Sequence, residues 1–236
     1  MQLPQSDRRS IDVEQFAPDV QVILSQVYLL MTIGLVMTAV VAAAVAGSPQ
    51  LLQLFFGSPV LLIGLFLAQI GLVVVLSAAV MKMPTGVAVS VFTLYSALTG
   101  VTLSTIFLIY TDASISTTFF VTAATFGVMS FVGFVTKRDL TKFGPILFML
   151  LIGLVIASAV NLFLRSEGLY WILTYAGIAI FVGLIVWDTQ RIKQMAAMGL
   201  ADGRSRTAVA VLGALRLYLD FINLFLLLLR LLGRRR

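Results

Sequence analysis

The sequence contains no cysteine and no histidine. The first absence excludes disulfides, iron–sulfur clusters and thiolate zinc sites, and the second removes the commonest transition-metal ligand and general base. Charged residues are also scarce, at 11% of the chain against about 25% in a soluble domain. These absences predict that the chain is not an enzyme.

Apolar sequence takes the place of what is missing. Sixty per cent of the residues are hydrophobic and the mean hydropathy is +1.07, which predicts a polytopic membrane protein. The net charge of +6 comes from basic residues that stand between apolar runs, where they act as topology signals. We therefore expect a lipid bilayer as the main partner and no nucleic acid.

Seven apolar runs have about the 20 residues that a helix needs to cross a bilayer core. They cover residues 25–46, 60–81, 86–110, 115–135, 145–164, 169–187 and 207–232. The last run is interrupted by Arg216 and Asp220, so it either crosses beside other helices or turns back. The sequence predicts an all-α fold with a polar cytoplasmic N-terminal segment, 1–24, and a seven-helix transmembrane domain, 25–236.

Basic residues in the short loops predict the orientation. With a cytoplasmic N-terminus the inner side carries ten of them, and the outer loops carry only Arg165. The ten are Arg8, Arg9, Lys82, Lys137, Arg138, Lys142, Arg191, Lys193, Arg204 and Arg206. The tail, Arg230 with Arg234–Arg236, falls outside if the seventh run crosses and inside if it turns back.

Two carboxylates stand in or beside these apolar runs. Asp188 follows the sixth run and Asp220 lies near the start of the seventh. Such charges cost several kcal/mol to bury and usually mark function. If Arg216 lies at the membrane boundary, Asp220 is about 6 Å inside and level with Asp188. Two facing carboxylates cannot both ionise cheaply, so the pair is predicted to sense pH or to bind Ca²⁺.

Neighbouring oxygen atoms fit the second possibility. Calcium takes six to eight oxygen ligands. Asn223 lies one helical turn after Asp220, and Thr189 follows Asp188 directly. With backbone carbonyls and waters these side chains predict a weak, open calcium site.

An ion pair within each helix is the alternative interpretation. Arg216 precedes Asp220 by four residues and Arg191 follows Asp188 by three, so each arginine shares a helical face with its aspartate. Each carboxylate would then be neutralised locally. The spacing alone leaves both interpretations open.

Small residues recur at helical spacing in two of the runs. This pattern first predicts close helix packing and, as an alternative, the lining of a pore. The residues are Ser96, Gly100 and Ser104 in the third run, and Thr118, Thr122, Thr125, Gly127 and Gly133 in the fourth.

Two segments carry a family resemblance. Gly183-Leu-Ile-Val-Trp-Asp-Thr-Gln-Arg-Ile192 and Ala214-Leu-Arg-Leu-Tyr-Leu-Asp-Phe-Ile-Asn-Leu-Phe-Leu-Leu-Leu-Leu-Arg-Leu-Leu-Gly233 closely resemble the Bax-inhibitor-like transmembrane family. The likeness is strongest to its bacterial inner-membrane branch. It covers the chain from about residue 25 to the end, and includes 96–104 and 136–144.

The resemblance implies six helices around a central seventh and a pH-sensitive calcium leak channel or transporter. The two aspartates that gate the leak correspond to Asp188 and Asp220, and Ca²⁺ is the transported ion rather than a cofactor. Some members latch the closed state with an arginine of the second helix. Residues 60–81 contain no arginine, so Arg216 is the candidate substitute.

The resemblance also implies a function of another class. Some bacterial members regulate a membrane-bound ATP-dependent protease without transporting an ion. Segment 1–24 would then be the contact with the protease. Removing residues 1–20 should abolish regulation but leave an ion flux intact.

Overall fold

The computed structural model describes residues 17–201 and 206–236. Most of the predicted N-terminal segment 1–24 therefore lies outside the described residues. The same holds for three of the basic residues used to predict the orientation, Arg8, Arg9 and Arg204.

Helices account for nearly all of the described chain. They are α1 (Ala17–Ala46), α2 (Pro49–Phe56), α3 (Pro59–Ala79), α4 (Thr85–Leu103), α5 (Ile106–Ile109), α6 (Asp112–Val135), α7 (Phe143–Leu164), α8 (Glu167–Ala201) and α9 (Arg206–Leu232). Seven helical stretches, with α5 counted as the end of the α4 span, are long and apolar enough to cross a bilayer. The all-α fold with seven spans is confirmed, whereas six helices around a central seventh stays a prediction.

Two helices extend beyond the predicted apolar runs. α1 begins at Ala17 rather than at 25, since Pro18 suits a first helical turn and Val20 is buried. α8 continues to Ala201 rather than ending at 187, because no proline interrupts the polar residues that follow. Asp188 consequently lies inside a helix and not at its end.

The third predicted span, 86–110, is broken after Leu103. The hydroxyl of Ser104 donates to the Val101 carbonyl at 2.7 Å, and that of Thr105 donates to the Thr102 carbonyl at 3.1 Å. Such local bonds compete with the hydrogen-bond ladder of the helix. The α-helix ends here and resumes at Ile106 as α5.

The remaining spans differ strongly in burial. In α7 only Gly144 is buried, which is typical of an apolar helix that faces lipid. α9 is the opposite case, with 72% of its most apolar stretch buried. It is one continuous helix of 27 residues, about 40 Å long. The seventh run therefore has the length to cross and does not turn back.

The chain forms two compact units. Among the described residues, the first holds those up to Ile109, those between Ile192 and Tyr218, and Arg236. Its apolar core includes Val45, Leu65 and Val101, against which the side chains of α2 pack. The second unit consists of Tyr110–Arg191 and Leu219–Arg235.

A buried hydroxyl contact joins α1 to α9 inside the first unit. Thr38 Oγ1 lies 2.6 Å from the Tyr218 hydroxyl and 2.9 Å from the carbonyls of Gly34 and Ser96. Carbonyls only accept, so Thr38 donates to one of them and Tyr218 donates to Thr38. α4 approaches closely at the same place, because a Cβ on Gly100 would lie 2.6 Å from the Thr38 carbonyl oxygen. This approach confirms the packing interpretation for Gly100.

We expect Tyr218→Phe to lower the free energy of unfolding by about 1 kcal/mol, because one buried hydrogen bond is lost. In a chain of this size that loss corresponds to about 2–4 °C in Tm. Thermal unfolding in detergent, followed by circular dichroism, measures it. Tyr175→Phe is the matched control, since Tyr175 is exposed. Equal Tm changes in the two variants would contradict the role given to the Tyr218 hydroxyl.

Candidate functional site

Both predicted aspartates belong to the second unit and both are buried. Asp188 on α8 is 6% exposed, and Asp220 on α9 is 5% exposed. They are the two buried carboxylates in the described part of the chain. Burial at this level demands a partner, a cation or a proton for each.

Helix α6 lies against the chain neighbours of both aspartates. The Ser130 hydroxyl is 3.0 Å from the hydroxyl of Thr189, the residue after Asp188. The Phe126 ring meets the ring of Phe221, the residue after Asp220, edge to face at 5.6 Å between centroids. Ser130 and Phe126 are one turn apart, about 6 Å along α6. The neighbours of the two aspartates thus contact α6 within one helical turn.

Gly133 makes the approach of α6 to α8 possible. A Cβ there would overlap the Val186 carbonyl and lie 3.0 Å from Cβ of Thr189. Around Gly127, by contrast, a Cβ would meet no described atom within 4 Å. The prediction that Gly127 lies on a close-packing face is therefore wrong. At about 100° per residue, Gly127 lies about 120° around α6 from Gly133, with Ser130 between them.

Three predicted supporting residues have identifiable contacts. Thr189 is fully buried, with its hydroxyl on Ser130. The Asn223 amide nitrogen donates to the Leu219 carbonyl at 2.8 Å, so its amide oxygen is the atom that suits a cation. The Arg191 guanidinium lies 4.8 Å from the Trp187 ring centroid, as in a cation–π contact.

Arg216 is half-buried on α9. It belongs to the first unit, and its pairing with Asp220 stays a prediction.

The carboxylates available to a metal ion are few. Within 17–201 and 206–236 no three acidic side chains come together as a metal-binding group. A cation between Asp188 and Asp220 would draw its other oxygen ligands from amides, hydroxyls, carbonyls or water. Such a ligand set provides a weak site.

Two residues at this site were missed by the sequence analysis. Gln190 is buried and holds the α6–α7 loop: its Oε1 accepts from the Leu140 N–H at 2.9 Å, and its Nε2 donates to the Arg138 carbonyl at 2.7 Å. Ser130 contacts Thr189. The sequence signal for Gln190 was its place in the segment 183–192 that carries the family resemblance, two residues after Asp188, and for Ser130 it was the spacing from Gly133.

Comparison with known proteins identifies the family of the chain. The family model described as "Inhibitor of apoptosis-promoting Bax1" matches residues 20–236. The chain belongs to this family. The inner membrane protein YbhL of Escherichia coli (strain K12) is 52% identical over 229 residues, covering 97% of this chain and 98% of YbhL.

Relatives in other bacteria match over most of their length as well. A protein of Borreliella burgdorferi is 47% identical over 213 residues, covering 90% of this chain and 92% of the relative. The protein RP147 of Rickettsia prowazekii is 42% identical over 211 residues, covering 89% of each. The predicted family is confirmed.

We expect Gly133→Ala to destabilise the second unit by about 1–3 kcal/mol, because the added methyl group overpacks α6 against the α8 backbone. Gly127→Ala on the same helix is the matched control and should be neutral or slightly stabilising. Thermal unfolding in detergent measures both. Equal effects would show that the approach at Gly133 is not tight.

Proposed function

We propose that the chain is a membrane transport protein rather than an enzyme: a pH-sensitive calcium leak channel or transporter gated by Asp188 and Asp220. Its location would be the bacterial inner membrane, in which the relative YbhL is named. The N-terminus would be cytoplasmic.

The observation that carries this proposal is the burial of two carboxylates beside one turn of α6. Thr189 reaches Ser130, and Phe221 reaches Phe126. Two carboxylates that lie beside the same turn of α6 would compete for one proton or share one cation. Membrane-embedded acidic residues of this kind mark ion pathways more often than they serve stability.

The distribution of basic residues supports a cytoplasmic N-terminus, even though a membrane-spanning α9 puts the basic C-terminal tail on the outer side. The backbone N–H of Arg234 donates to Ser114 Oγ at 3.0 Å, which places the tail at the start of α6. The outer side then holds five basic residues: Arg165, Arg230, Arg234, Arg235 and Arg236. The ten on the inner side still exceed them, as the positive-inside rule requires.

We expect Asp188→Asn and Asp220→Asn each to change Ca²⁺ flux at least about tenfold, and the double variant to add little. The reason is that one cation needs both carboxylates, so either substitution already removes the site. Flux through purified protein in liposomes loaded with a calcium indicator measures it. Additive effects would indicate independent sites and favour an ion pair within each helix.

A chain that lacks residues 2–16 separates transport from protease regulation. This deletion leaves α1 whole and keeps the 2.9 Å ion pair between Asp19 and Arg206. Unchanged flux supports the transport function. Flux absent from both the full chain and the deleted one would favour the regulator instead.

The pH response should be a loss of flux on acidification from about pH 8 to about pH 6. In a chain without histidine, the two buried aspartates would be the side chains that bind the proton, and a protonated pair would no longer hold the cation. The site is therefore loaded at high pH and empty at low pH. Liposome flux across that range measures the midpoint. A flat profile, or the same midpoint in Asp188→Asn, would contradict gating by the pair.

A further inference from the structure

The loop between α6 and α7 concentrates positive charge at one end of the second unit. This basic loop, residues 136–142, carries Lys137, Arg138 and Lys142, and all three are exposed. Its one acidic residue, Asp139, accepts a hydrogen bond from the Thr141 N–H at 2.9 Å. That bond forms a turn whose carboxylate is engaged with the backbone of the loop itself.

Gln190 fixes the path of this loop. Its amide oxygen accepts a hydrogen bond from the Leu140 N–H at 2.9 Å, and its amide nitrogen donates one to the Arg138 carbonyl at 2.7 Å. A buried amide that satisfies both a donor and an acceptor acts as a rigid clamp. The backbone that carries Arg138 is thus held in one place on α8 rather than left to move as a surface loop.

A fourth cation reaches the same place from α8. The Trp187 ring covers Gly144 in the first turn of α7, where a Cβ would overlap the ring. The Arg191 guanidinium lies over that same ring at 4.8 Å. Arg191 therefore stands beside the end of the basic loop, with an indole of the kind that anchors helices at the membrane interface.

The adjoining surface is apolar and faces lipid. Phe143 follows the loop directly and is 54% exposed, and Ile146 one turn further is 49% exposed. α7 buries only Gly144. A molecule that touches the basic loop and α7 together therefore meets the three exposed cations of the loop at one end and apolar side chains along its length.

We propose that the basic loop binds the phosphate headgroup of an anionic phospholipid whose acyl chains lie along α7. The charge complements an anionic headgroup, and the apolar face selects a lipid over a free anion. A basic loop that only sets the orientation of the chain in the membrane needs positive charge but no fixed backbone conformation. The clamp at Gln190 is the feature that a binding site explains.

Lipid binding to the purified full-length chain tests the proposal. Phosphatidylglycerol is titrated into the protein in neutral detergent, and bound lipid is counted by native mass spectrometry. Each cation at an anionic surface is worth about fivefold in binding. We expect the variant Lys137→Gln, Arg138→Gln, Lys142→Gln to lose at least about tenfold in affinity. Phosphatidylcholine should not compete.

The matched control removes the same charge from the other end of α6. The variant Arg234→Gln, Arg235→Gln, Arg236→Gln should bind phosphatidylglycerol within about twofold of the unmodified chain, since it leaves the loop intact. An equal loss in both variants would overturn the proposal, because binding would then follow net charge alone. Inorganic phosphate that displaces the lipid at equal concentration would also overturn it.

Gln190→Leu tests whether binding needs the fixed loop conformation or only its charge. The variant keeps every charge and removes the clamp. We expect an affinity about threefold weaker, since the freed loop must be ordered again on binding. Circular dichroism verifies that the variant is folded. Unchanged affinity in a folded variant would overturn the proposal. If it does not fold, the two charge variants decide the question.

Discussion

At Gly133 the backbone of α6 lies so close to the Val186 carbonyl of α8 that a methyl group does not fit, and the surroundings of Asp188 depend on that approach. It allows Ser130, on the same face of α6, to reach the hydroxyl of Thr189 at 3.0 Å. In lipid, helices gain nothing from hydrophobic association, so small residues and interhelical hydrogen bonds hold them together. The approach at Gly133 supplies both.

Hydroxyl groups show the same constraint in both units. Most of them bond to a carbonyl of their own helix, as Thr122 does with Thr118 and Thr174 does with Tyr170. These bonds satisfy the group without connecting helices. The hydroxyl pairs of Thr38 with Tyr218 and of Ser130 with Thr189 connect helices instead. Tyr218 and Thr189 stand within two residues of Asp220 and Asp188, so both of these hydroxyl pairs lie close in sequence to a carboxylate.

The sequence was informative where one physical effect dominates. Hydropathy located all seven spans, because every helix that crosses a bilayer needs a minimum length of apolar sequence. It could not locate the break at Ser104, since hydroxyl-to-carbonyl bonds leave no trace in hydropathy. Nor could it tell Gly133 from Gly127, because only the neighbouring helix decides which glycine is approached. Gln190 was missed for a similar reason: its partners are backbone atoms of a loop some fifty positions earlier.

On the proposed function, the small number of carboxylates suits passage better than storage. A tight calcium site assembles several acidic ligands in rigid geometry, and the described part of the chain has no group of three. An ion that crosses must bind well enough to enter and weakly enough to leave. Asp188 and Asp220 provide two charges, enough to match one Ca²⁺, while the remaining ligands would be neutral oxygens. Protonation of either aspartate breaks that balance, so one pair of side chains would serve both as binding site and as gate.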